Sequence, residues 1–382
     1  MTGLSACQGL AVWRIVCRVQ TMMNKSLVCL LFSLGAAVPA AAQYSARRDG
    51  DVIRLEDAKN QMVVAIQPSA GNGTNEFTVK GQNILRGIPV LAPWANRLDE
   101  QAFYANGRRY AFDMQLGNIS GGAVPIHGFL TSTDQWKVKE VKADGTAAWV
   151  TSTLDVYKQP MWMKQFPFAH TIEMTHRLQD GVLQVYTKIA NMAAEPMPVA
   201  IGFHPCYWLT DAPRADWVID VPARTWWPLT GTKVPIGSTE PIEKIFPGGQ
   251  GRLKDYNLDD VFDDLKRDAQ GRAHVSVKGK QQQIEVTMDQ AFRALVIFSP
   301  NSTNKGLGSQ ANALPNPPPA VARPAPAANA APQAQRESVC FEPMAGITDG
   351  MNLAHKGLYK NQQYIAPNQT WEANFWVKPT GF

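Results

Sequence analysis

From Ile172 the chain alternates through Met174, His176 and Leu178, turns at Asp180-Gly181, and resumes with apolar residues at Leu183, Val185 and Ile189. A period of two puts alternate side chains on one face of an extended strand. Asp-Gly supplies the positive φ angles of a tight hairpin turn. A helix would instead need apolar residues every three to four positions. The same pattern recurs over residues 136–154 around Asp144-Gly145 and over 103–112 around Asn106-Gly107. Further strand candidates lie at 62–66, 217–221, 274–277, 284–288 and 294–298, whereas 259–267 reads as a short helix or a loop. Many strands punctuated by Gly, Asp and Asn turns predict an all-β sandwich or barrel with few short helices.

One segment breaks the pattern. Of the 18 residues 315–332, seven are Pro and seven are Ala, a composition that builds no packed core. With its polar flanks it runs over about 301–337. The 45 residues after it include Val339-Cys340-Phe341 and an aromatic run at 371–377, which read as strands needing a sheet made elsewhere. The segment therefore predicts a long surface loop inserted in a single domain spanning 43–382, although 382 residues could hold two domains.

At the other end, residues 27–38 are a 12-residue apolar run, preceded by Lys25 and followed by Ala40-Ala41-Ala42. This is the form of a secretory signal; a membrane-spanning helix needs about 20 apolar residues. Residues 1–42 are expected to be a cleaved signal peptide, with 1–22 an over-long start. The mature chain is expected to be periplasmic or secreted and free of the membrane. Cleavage removes Cys7, Cys17 and Cys29, and the loss of Arg14, Arg18 and Lys25 lowers the net charge from +5 to +2. A nearly neutral chain lacks the basic stripe of a nucleic-acid binder. Cys206 and Cys340 remain, too few for a disulfide scaffold. Two buried thiols are expected, with one bridge left open in an oxidising compartment.

The sequence carries no HExxH, CxxC, GxSxG, GxGxxG or Walker loop, so metal, serine-hydrolase and nucleotide chemistry have no motif to rest on. Three dense segments stand out instead. The first is Pro93-Trp94-Ala95-Asn96-Arg97-Leu98, followed further on by Ile126-His127-Gly128. The second is Gly202-Phe203-His204-Pro205-Cys206-Tyr207-Trp208. The third is Cys340-Phe341-Glu342-Pro343. Each sets a polar residue among aromatics, Gly and Pro. Aromatic surfaces around a few convergent polar groups suit a small polar ligand such as a sugar. His170, His176, His274 and His355 have no such setting and read as structural or exposed.

In order and spacing these segments, with Leu258-Asp259-Asp260-Val261-Phe262 between the second and third, resemble the aldose 1-epimerase (galactose mutarotase-like) family over roughly residues 52–377. The resemblance implies a large antiparallel β-sandwich, the galactose mutarotase-like supersandwich. It implies an isomerase that interconverts the α and β anomers of free aldohexoses, with no cofactor and no metal. It makes Glu342 the general base at the anomeric hydroxyl and His204 the general acid at the ring oxygen, with His127 a second candidate acid. Arg97 and His127 would hold sugar oxygens, Asn96 would assist Arg97, and Asp259 would bind sugar, with Asp260 its rival. A nearby Glu342 is expected to hold His204 charged near neutrality. A non-catalytic carbohydrate-binding protein on the same fold is the alternative. Cys206 stands where the family more often has an aromatic. Cys206 and Cys340 each lie two residues from a proposed catalytic residue, so in extended stretches each would share a sheet face with that residue; a Cys206–Cys340 contact is offered as a hypothesis. An uncharged sugar also fits the mature chain's near-neutral balance.

Overall fold

The structure, a computed structural model, describes residues 42–301, 306–308 and 337–382. Nearly all of the expected signal peptide and most of the Ala/Pro-rich segment lie outside the described residues.

The hairpin read first is the longest. Strands His170–Gln179 and Val182–Asn191 pair with Ile172 opposite Ile189, His176 opposite Val185 and Leu178 opposite Leu183. Ile172, Met174, His176 and Leu178 are buried along one face while their neighbours are half-buried. Period-2 alternation thus becomes a sheet with one face on the core. This hairpin sits inside a nine-stranded antiparallel sheet. In spatial order its strands are Lys137–Ala143, Ala148–Asp155, the hairpin, Thr370–Thr380, Gln283–Met288, Ala273–Lys278, Val218–Asp220 and Gln250–Arg252. The C-terminal strand Thr370–Thr380 is therefore central, bonded to Val182–Asn191 on one side and Gln283–Met288 on the other.

A second nine-stranded sheet carries Ala223–Trp227, Leu258–Leu265, Ala294–Ser299, Val339–Met344, Gly202–Phe203 and Val90–Leu91 in that order, with Cys206–Tyr207 also paired to Val339–Met344. A five-stranded meander, from Tyr44–Asp49 to Gln82–Asn83, stands beside them. Aromatic contacts tie the two large sheets together. Phe203 of the second sheet meets Phe375 of the first at 4.8 Å between ring centroids, and Phe292 packs on both. Each such fully buried side chain contributes about 1.5–3 kcal/mol by leaving water. The fold is all-β, with two six-residue α-helices among the described residues, Pro160–Gln165 and Gly350–His355.

Residues 259–267 correct the sequence reading. Leu258–Leu265 is a strand, flanked on both sides by other strands. Only Asp264 in it is exposed, so no alternation marks it: both of its faces are covered.

Candidate active site

The second sheet brings the three dense segments together at one place. Glu342 sits within strand Val339–Met344, opposite Val296 of the neighbouring strand, and is 1% exposed. Its Oε1 lies 3.1 Å from His204 Nε2; its Oε2 has no hydrogen-bond partner among the described residues. His204 occupies the gap between the two-residue strands Gly202–Phe203 and Cys206–Tyr207. Pro205 interrupts the ladder there because it has no N–H to donate. The segment is pinned all the same: His204 N–H donates to Pro89 O at 3.2 Å and Phe341 N–H donates to Pro205 O at 3.1 Å. Gly202 permits the close approach, since a Cβ there would stand 2.7 Å from Ala95 Cβ and 3.0 Å from Pro343 O.

Asp259 and Asp260 follow each other on strand Leu258–Leu265, so their side chains leave opposite faces. Asp260 is used by the fold: its Oδ1 accepts from Trp226 Nε1 at 3.0 Å and its Oδ2 accepts from the Asp259 N–H at 3.1 Å. Asp259 turns to the other side, where its Oδ2 lies 3.3 Å from Arg97 Nη1. Arg97 also donates to Asn96 Oδ1 at 3.0 Å.

Asn96 and His127 come from two loops that hold each other. Both take left-handed backbone conformations, with φ of 56° and 61°. His127 N–H donates to Asn96 O at 2.9 Å, and Asn96 N–H donates back to His127 Nδ1 at 3.2 Å. Because Nδ1 accepts, a neutral His127 carries its proton on Nε2. The six side chains named from the sequence, with Phe298 and Pro300, line a pocket of about 350 Å³, within the roughly 300–1,000 Å³ usual for small-molecule sites.

Electrostatics overturn one expectation. Burial pushes the His204 imidazole down to about 4, reinforced by Arg86 and Arg97 and opposed by its own carbonyl and Asp259. Burial, with the Asp259 charge adding, pushes the Glu342 carboxyl well above its ordinary range, and Arg97 opposes this. Burial disfavours the charged form of each group. The resting pair is therefore an uncharged imidazole beside a protonated carboxyl, sharing one proton across the 3.1 Å contact.

Four further points differ from the sequence reading. Trp94, Phe203, Tyr207 and Phe341 do not line the pocket; all are buried in the core. Alternation along its strand sends Phe341 to the face opposite Glu342, and Trp94, outside the strands, stacks on Phe112. Phe298 and Pro300 were not singled out, since an ordinary strand and its end carry them. Cys206 and Cys340 are not free thiols: they are directly opposed across the strands, with Cα atoms 3.9 Å apart, and joined by a disulfide. Lys233 also went unmarked. It is buried near this charge cluster, where burial lowers it while Asp259 and Asp260 oppose the shift.

The fold and this site define a β-sandwich with a polar, ligand-sized pocket built around a carboxyl–imidazole pair. The profile of the family described as aldose 1-epimerase matches residues 53–378. The chain belongs to the aldose 1-epimerase family. Among solved structures it resembles a galactose mutarotase-like protein from Clostridium acetobutylicum at 18% identity and a TM-score of 0.68, covering 89% of this chain and 98% of that one. It also resembles a galactose 1-epimerase from Lactobacillus acidophilus at 14% identity and a TM-score of 0.63, with 89% and 98% covered. A protein from Synechocystis shares 21% identity at a TM-score of 0.62, with 88% and 98% covered.

Proposed function

We propose that the protein is an aldose 1-epimerase that interconverts the α and β anomers of free aldohexoses, with Glu342 and His204 as its acid–base couple. The observation that carries this is the 3.1 Å contact between Glu342 Oε1 and His204 Nε2 in a pocket also lined by Asn96, Arg97, His127 and Asp259. Ring opening needs a proton taken from the anomeric hydroxyl and another given to the ring oxygen. In the ion-paired form the Glu342 carboxylate takes the first and the His204 imidazolium gives the second. Both transfers leave a protonated Glu342 and a neutral His204, the state that burial already favours. The site is thus matched to the open aldehyde. Ring closure reverses both transfers: Glu342 returns its proton to the anomeric oxygen and His204 takes one from the ring hydroxyl, which restores the ion pair. Rotation about the C1–C2 bond before closure returns the other anomer.

Arg97, Asn96 and Asp259 supply donors and acceptors for sugar hydroxyls. His127 offers its Nε2–H as a hydrogen-bond donor; giving that proton away outright would leave an imidazolate, so the acid role falls to His204. A lectin needs no proton-sharing pair, which favours catalysis over carbohydrate binding alone. We also place the protein in an exported, oxidising compartment. The Cys206–Cys340 bridge supports that reading, because disulfides persist there.

Saturation-transfer NMR of anomer exchange over a panel of free aldohexoses tests the proposal. Glu342→Gln should lower the exchange rate by about 10²–10⁴-fold while keeping the fold. Undiminished exchange in that variant would remove Glu342 from the mechanism, and saturable binding with no exchange in the wild type would make the protein a lectin.

A further inference from the structure

The disulfide lies directly behind the proposed acid–base pair. Cys206 is two residues from His204, Cys340 is two residues from Glu342, and the two cysteines face each other in register. Cys206 Sγ is 3.3 Å from His204 Nδ1, while the far nitrogen of the same ring, Nε2, is 3.1 Å from Glu342 Oε1. We propose that the Cys206–Cys340 disulfide is a positioning element for this pair: it ties the His204 segment to the Glu342 strand and keeps the imidazole proton on Nδ1. The proposal rests on the acid–base reading above.

Two physical arguments support it. The first concerns the tether. His204 stands where Pro205 breaks the ladder, and the strand after it is only two residues long, Cys206–Tyr207. So short a pairing contributes few hydrogen bonds, and a covalent link across it fixes the distance between the two functional strands. Holding reacting groups in place is worth a great deal, since misplacement by about 1 Å can lower a rate roughly 10²-fold.

The second concerns the tautomer. A disulfide sulfur carries no hydrogen, so at 3.3 Å it can only accept, and Nδ1 must be the donor. The neutral ring then has its lone pair on Nε2, facing Glu342. That nitrogen can take up and return the shared proton. A free Cys206 thiol could instead donate its S–H to Nδ1, moving the ring proton to Nε2. In that tautomer neutral His204 has no lone pair facing Glu342 and cannot receive a proton from it. Orientation of a catalytic imidazole by a group at its other nitrogen is a general device; here a disulfide fills that place.

The test uses the oxidised full-length mature protein, the Cys206→Ala/Cys340→Ala double variant and the Cys340→Ala variant, which leaves a thiol beside Nδ1. Wild-type protein treated with a trialkylphosphine is a fourth sample. There the S–S bond is split, phosphorus takes an oxygen atom from water, and the two sulfurs take that water's two protons. Each sample is examined by ¹⁵N NMR of the His204 ring and by anomer exchange across pH, well below its melting temperature. The expected result is an Nδ1–H ring in the oxidised protein and a shift toward Nε2–H in Cys340→Ala and on reduction. The exchange rate constant at saturating sugar should fall about 10- to 100-fold in both variants, with a smaller change in KM and a displaced pH profile. An unchanged ring tautomer together with an unchanged rate and pH profile, even if the melting temperature falls, would overturn the proposal and leave the bridge a stabiliser only. If the oxidised wild type exchanges no aldohexose anomers but its His204 tautomer still responds to reduction, the positioning role stands and the epimerase reading fails.

Discussion

Asn96 and His127 illustrate how single residues shape this pocket. Left-handed backbone is uncommon outside Gly and Asn, yet the two residues adopt it together and exchange hydrogen bonds. Gly128 makes the arrangement possible. It has φ of 61°, and a Cβ there would lie 2.1 Å from Ala92 O and 2.8 Å from Pro93 N. Backbone atoms cannot swing aside as a side chain can. Gly128→Ala should therefore displace the His127 loop, destabilise the protein by roughly 1–3 kcal/mol and raise KM for sugar. Urea unfolding and anomer-exchange kinetics check this; a variant matching wild type in both would show that the loop yields easily. At this scale much was legible in the sequence. Apart from Asp259, the polar residues that line the pocket stand in segments marked by Gly and Pro, because special backbone conformations need those residues. The charge state of Glu342 and His204 was not legible. It depends on how much water the assembled sheet excludes, and adjacent letters do not record that.

Elements differ in how openly they announce themselves. The hairpins were readable because one face of each is less buried than the other, which leaves a period of two in the sequence. Strand Leu258–Leu265 was not, because neighbours cover it on both faces and its acids at 259, 260, 263 and 264 resemble a solvated loop. The short helix Gly350–His355 is another element that the sequence hid. Asp349 precedes it with φ of 60°; its N–H donates to Arg97 O at 3.0 Å and its Oδ1 accepts from the Asp99 N–H at 3.1 Å. The helix is thereby joined to the loop that carries Arg97. Burial, then the nearby Asp99 charge, pushes the Asp349 carboxyl up to about 8 from its ordinary 3.8. Between those values the native state holds a proton that the unfolded chain has released. Stability contributed by this group is complete below pH 3.8 and is lost as pH rises toward 8, at about 1.4 kcal/mol per pH unit. Asp349→Asn mimics the protonated acid and should remove that slope. Guanidinium midpoints should then show the variant gaining on wild type at about pH 8 and differing little at about pH 4. Parallel pH curves would mean that Asp349 is ionised in the fold.

Over the whole molecule the buried titratable groups act in opposite directions, and their balance sets the pH at which the sandwich is most stable. His170 and His176 lie in the core, and burial pushes each down to about 4 from an ordinary 6.5. His170 donates from Nδ1 to Phe168 O at 2.7 Å, whereas His176 Nδ1 has no partner among the described residues. Both are neutral when folded and protonate more easily when unfolded. The stability they contribute is present above pH 6.5 and is lost as pH falls toward 4, at about 1.4 kcal/mol per pH unit for each. Asp349 opposes one of them across this range. His204, lowered by burial, acts in the same direction as His170 and His176, while Glu342 and Asp263, raised by burial, act with Asp349. Above about pH 6.5 the histidines no longer contribute a slope, and the raised Asp349 carboxyl favours the unfolded chain up to about pH 8. In His176→Leu the acid limb, between about pH 6.5 and 4, should be shallower than in wild type by about 1.4 kcal/mol per pH unit, while the alkaline side is unchanged. Chemical unfolding at about pH 4.5, 6.5 and 8 distinguishes the cases: an acid limb as steep in the variant as in wild type would mean that His176 is charged, or becomes hydrated, within the folded sheet.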